Sequence, residues 1–511
     1  MNRTTLSLFA GTAALAAVTA FAAVDSPSAS GAAPETAARQ PVQRTGLVCP
    51  APSTSDLAET TYTSFTPVTK GAASGGRARL QAAGEQSSDD GSGADGKEKD
   101  GKEKDDTKKK GGGEKDGQPV LTPKAPGTPA TGDTSGGDTP ALVGTADGSF
   151  APGWTVQETT EVSAGTGRGL LGVTCTGADT DFWFPGASTA AGRTDYVHLT
   201  NPDDSAAVVD IELYGKDGAV KAPLGENLTV DPGASEALLL PTLTEERQAD
   251  LTVHVSVRSG RVGAAVQALD DKAGGDWLAP AADPAGSLVL PGIPKDATAV
   301  RLTAFAPGDD DADLKIRLAS PDGLITPAGN ETVHVKSGMT TTVDLGDVTR
   351  GEPGSLVLTP TDQAAPVVAA LQVVRGKGDK RETAFIPATA PVGTRATSAG
   401  NGAKGTTLAL TAPEGTATVK VTASAGSEGG TPATKTYTLK SGTTQDVDAP
   451  VPTGLKGTYA LTVEPVSGGP VYASRTLTTA DTPAFTVQTL PSDHGLVSVP
   501  RTREDLSILQ K

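Results

Sequence analysis

Three stretches of this chain repeat one pattern, and the repeat constrains the fold more than any other feature. They are residues 209–233, 313–338 and 418–442. Each begins with alternating apolar residues, passes through a glycine-containing turn and a proline, and ends with a second alternating run closed by a glycine. Alternation at period two is typical of a β-strand, and a fixed glycine is typical of a turn. Because the copies recur at about a hundred residues, they predict whole domains instead of propeller blades or solenoid turns.

The repeat therefore predicts an all-β protein with three tandem immunoglobulin-like or fibronectin-like β-sandwich modules. About seven short strands per hundred residues is the immunoglobulin-like count. Aromatic residues make up only 4% of the chain, so each core must be built from Val, Leu, Ala and Thr. The predicted modules span residues 142–283, 284–380 and 381–491, each with its own core, and residues 492–511 form a C-terminal tail.

Residues 1–32 have the plan of a secretory signal peptide. Arg3 precedes the uncharged stretch 6–24, and small residues suited to cleavage follow. An uncleaved membrane anchor is the alternative, since a stretch of this length can just span a bilayer. In either case we expect the remainder to be exported to the cell envelope or the medium. Membrane contact is then expected only through this segment, if it is not cleaved.

Two less regular segments precede the predicted modules. Residues 44–70 are predicted to form an N-terminal strand segment that returns to the first module. Residues 71–140 contain almost no large apolar side chains, and a Gly-Lys-Glu-Lys-Asp sequence occurs twice in tandem at 96–105. Such a composition cannot bury enough apolar surface to offset the entropy lost on folding. We therefore expect residues 71–140 to be a disordered linker.

Cys49 and Cys175 are the only cysteines. In an exported chain an even pair is typical of a disulfide, and two unpaired thiols are the alternative. The bond would join the N-terminal strand segment to the first module. Because each predicted module has its own core, we expect the bond to stabilise that module alone.

Charge and motifs argue against several functions. The formal net charge is −17, whereas nucleic-acid binding needs clustered Lys and Arg. The sequence contains no nucleophile elbow, zinc-protease helix motif, Cys-x-x-Cys pair or phosphate loop. A dinucleotide-like glycine pattern at 167–172 continues as a strand, so it lacks the helix that such a site needs. We therefore predict a non-enzymatic protein with no cofactor and no nucleic-acid partner. The sequence places its four histidines far apart, at His198, His254, His334 and His494.

Two local features are candidate binding sites. Asp309, Asp311 and Asp313 alternate like the first ligands of a calcium loop, but the glycine and glutamate that such a loop needs later are absent, which favours a solvated loop. Trp183 lies in the one aromatic cluster, Phe182-Trp183-Phe184, and is a candidate binding surface for carbohydrate. Packing in a core or between modules is the alternative.

A group of motifs carries a resemblance to a known family. It comprises Leu47-Val48-Cys49-Pro50, Gly172-Val-Thr-Cys175, Trp183-Phe184, His198-Leu-Thr-Asn-Pro202 and the turn at Asp217-Gly218. In these motifs the chain resembles a family of secreted actinobacterial proteins that is described only as a conserved domain of unknown function. The resemblance implies no activity, ligand or cofactor, and implies the cysteine pair only as a structural feature.

From these observations we expect an exported, non-enzymatic structural or interaction component of the cell envelope. Its partner is expected to be an envelope protein or glycopolymer. The alternative is an accessory or binding protein for envelope glycopolymer assembly.

Overall fold

The computed structural model describes residues 38–84, 118–479 and 484–499. The predicted signal peptide and the centre of the predicted linker lie outside the described residues. A first short strand, β1 (Ala38–Pro41), pairs with the last strand that the structure describes, in a separate two-stranded sheet. Residues 41–496 form one compact unit, which is described from here on.

The first β-sandwich is built from residues on both sides of the undescribed stretch 85–117. Its strands are β2 (Arg44–Cys49), β3 (Ala58–Phe65), β4 (Ala78–Ala82), β5 (Ala130–Ser135), β6 (Leu142–Asp147), β7 (Thr155–Val162) and β8 (Gly169–Thr174), with a 3-10 turn at Gly148–Phe150. One sheet has the order β2-β6-β4 and the other β5-β3-β7-β8. Tyr62, Leu80 and Trp154 fill the space between the sheets.

The second sandwich follows directly. Its elements are β9 (Asp181–Ala187), β10 (Arg193–Thr200), β11 (Ala207–Gly215), β12 (Gly218–Val220), a 3-10 turn (Pro223–Gly225), β13 (Leu228–Val230), β14 (Ser235–Leu239), the one-turn helix α1 (Leu240–Leu243), β15 (Leu251–Ser259), β16 (Gly263–Asp270) and β17 (Gly274–Leu278). The sheets have the orders β12-β11-β15-β9, with β13 also on β11, and β14-β10-β16-β17.

The third sandwich repeats this plan. Its elements are β18 (Leu288–Ile293), β19 (Ala297–Phe305), β20 (Ala312–Ala319), β21 (Leu324–Ile325), β22 (Thr332–Val335), β23 (Thr340–Gly346), β24 (Gly354–Pro360), β25 (Val368–Arg375), a 3-10 turn (Gly378–Lys380) and β26 (Glu382–Pro387). The sheets have the orders β18-β24-β20-β21, with β22 also on β20, and β23-β19-β25-β26.

The fourth sandwich ends the series. Its strands are β27 (Ala396–Asn401), β28 (Thr406–Ala412), β29 (Ala417–Ala423), β30 (Gly429–Thr431), β31 (Ala433–Leu439), β32 (Thr443–Val447), β33 (Thr453–Lys456), β34 (Tyr459–Gly468), β35 (Tyr472–Thr478) and β36 (Phe485–Thr489). The sheets have the orders β27-β34-β29-β31 and β32-β28-β35-β36, and β30 pairs with β33. The final strand, β37 (Leu496–Val499), is the partner of β1.

The four sandwiches share one topology of seven principal strands. In each, the first, fifth and third strands form one sheet, and the fourth, second, sixth and seventh form the other. All these pairings are antiparallel, and alternate residues face the space between the sheets, as the period-two pattern predicted. The prediction of an all-β sandwich protein is thus confirmed. The strand order differs from the immunoglobulin order, in which the first strand pairs with the second.

The structure differs from the predicted count of three modules and from the predicted linker. Strands β4 and β5 both lie within residues 71–140, and Leu121 of that range is buried. With the segment 44–70 and the first part of the range 142–283, they form a complete sandwich of their own. The sequence hid this sandwich because β4 is only five residues long and β5 is a mostly polar edge strand, so neither gives a clear alternation.

The sandwiches contact one another in a closed cycle. The last strand of each touches the last strands of its two neighbours: β8 contacts β17, β17 contacts β26, β26 contacts β36, and β36 contacts β8. In addition, the first strand of each sandwich lies against the sixth strand of the next, as β9 does on β25, β18 on β35 and β27 on β7. The fourth sandwich therefore closes back onto the first.

The first strands of three sandwiches share a bulge where they meet the next sandwich. Gly186, Gly292 and Gly400 have φ values of 106°, 84° and 71°, and the strand pairing shifts register at each of them. Glycine is favoured in this left-handed region because it has no Cβ to clash. A Cβ on Gly292 would also collide with the Ser474 hydroxyl of the fourth sandwich. The bulge therefore allows close approach between sandwiches.

The cores are not independent, contrary to the expectation from the repeat. Ala370 and Phe385 of the third sandwich pack with the core of the second. Phe485 and Val487 of the fourth pack with the core of the third. Domain interfaces within a chain allow relative motion by default unless they are large and hydrophobic. Here the apolar packing runs through the interfaces, so the sandwiches hold one another in place. Within the described residues, no helix has the length and apolar character needed to cross a membrane.

Replacement of Gly292 by alanine should cost more than replacement of Gly338. Both residues have positive φ, so each change should cost about 1–2 kcal/mol through backbone strain. Only Gly292 has a neighbouring sandwich against it, whereas the space beside Gly338 is open. Overpacking should add about 1–3 kcal/mol for Gly292→Ala. Urea unfolding of the two variants measures the difference, and equal losses would contradict the packing role of the bulge.

The double variant Cys49→Ser/Cys175→Ser should lose about 2–5 kcal/mol of stability, the usual cost of removing a native disulfide. Because the first sandwich closes the cycle, we expect the main unfolding transition of residues 41–496 to move down as a whole. Scanning calorimetry under non-reducing conditions measures this shift. A transition for the later sandwiches that stays at its original temperature would show that they unfold independently.

Candidate central site

The centre of the cycle is occupied by the carboxyl group of Asp276, in β17. The Gly172 N–H of the first sandwich donates to its Oδ1 over 2.9 Å, and the Thr486 hydroxyl of the fourth donates to both oxygens at 3.1 and 3.0 Å. The backbone N–H groups of Trp277 and Phe385 also donate to this carboxyl group. Asp276 thus makes hydrogen bonds in all four sandwiches while being fully buried.

Glycine makes this approach of the last strands possible. A Cβ on Gly172 would lie 2.6 Å from the Thr486 side chain and 3.2 Å from Gln488 Nε2. Real Cβ atoms do not tolerate the shorter of these distances, so the strand would have to move away. The sequence therefore needs a residue without a side chain in β8 directly opposite β36.

Burial raises the pKa of Asp276 well above its usual value, because the charged form loses its hydration. The hydrogen bonds from Gly172, Trp277, Thr486 and Phe385 act in the opposite direction but do not outweigh burial. A neutral carboxyl group can itself donate one hydrogen bond, and the Thr486 hydroxyl can accept it. The centre of the cycle therefore favours a protonated, fully hydrogen-bonded acid.

A second acid lies where the last strands begin. Glu382 is the first residue of β26, and its carboxylate occupies the space left by the missing side chains of Gly169 and Gly274, at 2.8 Å from each ideal Cβ position. Burial raises its pKa to about 7, although Arg168, 3.8 Å away, acts to lower it. Glu382 thus connects the third sandwich with the first and second.

The Arg168 guanidinium completes this end of the centre. It donates to the carbonyl oxygens of Lys272, Asp379 and Arg381 at 3.1–3.2 Å. Through their ion pair and these hydrogen bonds, Glu382 and Arg168 together connect the first, second and third sandwiches. Since the pair is partly exposed, its Coulombic contribution is reduced by solvent screening.

The sixth strands carry a recurrent long polar side chain opposite the last strands. These residues are Gln157, Gln267, Gln372 and Arg475, which pair with Thr174, Trp277, Phe385 and Gln488. Two of them bond to neighbouring sandwiches. Gln157 Oε1 accepts from the Ala399 N–H of the fourth sandwich at 2.7 Å, and Gln267 Nε2 donates to the Pro52 carbonyl of the first at 2.8 Å. Arg475 donates to the Ala399 carbonyl within its own sandwich. Burial lowers the pKa of Arg475 to about 9.

Beyond the other ends of the last strands, a central cavity of about 600 Å³ opens. We define it by the strand ends and the connections that leave them, namely residues 172–176, 277–288, 385–391 and 487–494. Trp277, Phe385, Val487 and Tyr472 are among its apolar and aromatic lining residues. A smaller cavity of about 150 Å³ lies beside it and shares Thr174, Thr489 and Ser492 among its lining residues.

The predicted disulfide is confirmed. Cys49 at the end of β2 is bonded to Cys175 directly after β8, with a Cα–Cα distance of 4.5 Å. Both strands belong to the first sandwich. The bond therefore fastens the first strand of that sandwich to the end of its last strand, beside the cavities.

Trp183 does not form an exposed binding surface. Only 8% of it is exposed. Its ring stacks on His254 with the centroids 3.7 Å apart and packs against Phe305 of the third sandwich at 5.4 Å. The candidate carbohydrate surface at Trp183 is therefore corrected to an interface contact between the second and third sandwiches. The aromatic cluster in the sequence identified Trp183 as a notable residue. The alternation of a strand, however, does not show whether a ring on its outer face is exposed to solvent or covered by another sandwich.

The structure does not bring the four histidines together. His254 lies between the carboxylates of Asp181 and Glu212, with nitrogen–oxygen distances of 3.1 and 2.7 Å. His198 is buried against the edge of Trp277, and burial lowers its pKa to about 4. His494 is exposed at the rim of the central cavity.

In the aspartate loop that resembles a calcium site, the carboxylates lie beside the imidazole ring of a histidine. His334 lies 3.4 Å from Asp311 and 2.8 Å from Asp313. Asp311 also accepts a hydrogen bond from the Ser337 N–H at 2.8 Å. Within the part of the chain that the structure describes, no three His, Cys, Asp or Glu residues are grouped so that they could hold a metal ion.

Sequence reasoning missed Asp276 and Glu382. The only local signal for Asp276 is its position in the Gly-Gly-Asp-Trp-Leu strand, where an acid stands between two glycines and a buried tryptophan. Another acid, Glu158, is fully buried in the first sandwich opposite Tyr62, and burial raises its pKa as well. Glu158 lines neither the central cavity nor the smaller one beside it, so it adds nothing to the central site.

Residues 130–450 match a family of unknown function, DUF5719. The chain belongs to this family. The DUF5719 match begins with the first residue of β5 and ends just after β32. It includes Asp276 and Glu382 but stops short of Thr486 and of β2–β4. No curated protein and no solved structure matches the DUF5719 chain. The resemblance to a conserved domain of unknown function is thereby confirmed.

The Asp276→Asn variant tests the charge state of the centre. The pKa of Asp276 is higher in the folded protein than the value near 3.9 of an unfolded chain, so the stability that it contributes is present at low pH and is lost as pH rises towards the folded pKa. Asparagine keeps the shape without titrating. The free energy of unfolding of the variant, relative to that of the native protein, should therefore rise by about 1.4 kcal/mol for each pH unit between the unfolded and folded pKa values.

Urea unfolding at pH 4, 5.5 and 7 measures this gain. Asp283→Asn, at an exposed aspartate beside the cavity, is the matched control and should show no such trend. A difference between native protein and Asp276→Asn that stays constant with pH would contradict a raised pKa at the centre.

Proposed function

We propose that this DUF5719 protein is an exported, non-enzymatic component of the cell envelope that acts as a rigid structural and interaction scaffold. The closed cycle of sandwiches carries the proposal. In an open row of modules each linker is a hinge, whereas here each sandwich is packed against two others and all four share the bonds to Asp276. Such an arrangement keeps its outer surfaces at fixed distances, which suits a protein that positions partners.

Two features support export. The first residues have the plan of a signal peptide or N-terminal anchor, and the Cys49–Cys175 bond suits an oxidising compartment. The proposed location is the cell envelope or the medium, with membrane contact only through the N-terminal segment where it is retained. The net charge of −17 disfavours a nucleic-acid partner, since the phosphate backbone would be repelled. The proposed partner is an envelope protein or glycopolymer.

A second candidate function is favoured by the central cavity. An accessory or binding protein for envelope glycopolymer assembly needs a concave site, and small-molecule sites typically have volumes of about 300–1,000 Å³. The central cavity, at about 600 Å³, lies in that range. In this alternative the protein binds a glycopolymer ligand in its central cavity instead of positioning a partner protein on its outer surface.

Cells that produce the full chain with a C-terminal epitope test the location. We expect the epitope outside the cytoplasm, and mass spectrometry after thiol alkylation should find Cys49 and Cys175 oxidised. A variant that lacks residues 2–32 is the control and should remain in the cytoplasm. Intact full chain found mainly in the cytoplasm would refute the proposed location. Crosslinking in the same cells should then recover envelope components, and recovery of cytoplasmic proteins alone would refute the scaffold role.

A further inference from the structure

We propose that the central cavity binds a short uncharged oligosaccharide. This assignment rests on the glycopolymer-binding form of the proposed function and names the ligand class for it. The cavity walls come from all four sandwiches, because the connection that follows each last strand contributes residues to the lining. It is thus a feature of the complete cycle and not of any one module.

The hydrogen-bonding groups of the lining are mainly hydroxyls. Thr176, Ser287 and Thr389 contribute one from each of the first three connections, and Thr489 contributes one from the end of β36. Their hydroxyl groups have no partner among the residues that the structure describes, and all four side chains are at least partly exposed. Exposed hydroxyl groups can bond to water, and each can both donate and accept.

The charge of the lining argues against an anionic ligand. No lysine or arginine is among the described residues that line the cavity, and its titratable groups, Asp283 and His494, are exposed. Phosphate or carboxylate groups are normally bound by Arg, Lys or clustered N–H donors. A ligand that enters this cavity is therefore expected to be uncharged.

A purely apolar ligand would suit the alanine, proline and aromatic residues of the lining but not its hydroxyl groups. It would remove water from four hydroxyl groups without replacing their hydrogen bonds, and buried unpaired polar groups are costly. A sugar hydroxyl donates and accepts as water does, so it can take the place of a bound water without loss. The apolar C–H surface of a sugar can lie against Tyr472 and Pro280, which also line the cavity.

Isothermal titration of the full chain with maltotriose, cellotriose and the N-acetylglucosamine trimer tests this assignment. We expect at least one of these to bind with a saturable, one-site isotherm. Ala282→Trp, which places a large ring at the cavity wall, should abolish that binding. Thr176→Val/Thr489→Val keeps the side-chain volume but removes two hydroxyls, and should weaken binding about tenfold.

The matched control is Thr436→Val, on an exposed position of β31, which should leave binding unchanged. Unaltered melting temperatures of the variants separate lost binding from lost folding. Failure of all three sugars to bind overturns the assignment, as does sugar binding that survives both Ala282→Trp and Thr176→Val/Thr489→Val. A fluorescent fatty acid that binds in place of the sugars and is lost in Ala282→Trp would show an apolar ligand and overturn it too. Export and crosslinking are measured separately, so the scaffold proposal can stand when this one fails.

Discussion

The structure depends most on one buried carboxyl group that receives hydrogen bonds within all four sandwiches. Asp276 stands where the four last strands meet, and its partners Gly172 and Thr486 come from the first and last sandwiches. Loss of either hydrogen bond would leave this buried acid with fewer partners, which is costly in an apolar interior. The hydrogen bonds that one side chain requires therefore fix the relative positions of the four sandwiches.

Repetition and asymmetry have different roles in this arrangement. The glycine bulges of the first strands and the polar residues of the sixth strands recur, so each interface is a variation on the same contact. The centre cannot be fourfold in the same way, because four buried acids would repel one another. One sandwich supplies Asp276, another supplies the glycine that admits it, and a third supplies the hydroxyl. The repeat builds the cycle, and departures from the repeat complete its centre.

The sequence predicted what depends on neighbouring residues and failed where distant ones meet. Alternating residues predicted the strands, and two cysteines in the chain predicted their bond. The first sandwich was missed because β4 is short and β5 is polar at a sheet edge. Trp183 was identified, but not its burial against Phe305, which lies in the next sandwich. No periodicity connects Gly172 with Thr486, so a single sequence carries no signal that they share Asp276.

Closure of the cycle links the scaffold to its cavity. The fourth and first sandwiches meet through the Ala399 backbone, which bonds to both Gln157 and Arg475. If this interface opens, the connections that line the cavity separate, since its walls include residues from both sandwiches. A ligand that contacts all four walls binds the closed cycle and not the open one, so the proposed ligand would stabilise closure by mass action. Rigidity and the proposed binding are thus not alternatives, because Gly172 of β8 both bonds to Asp276 and lines the cavity.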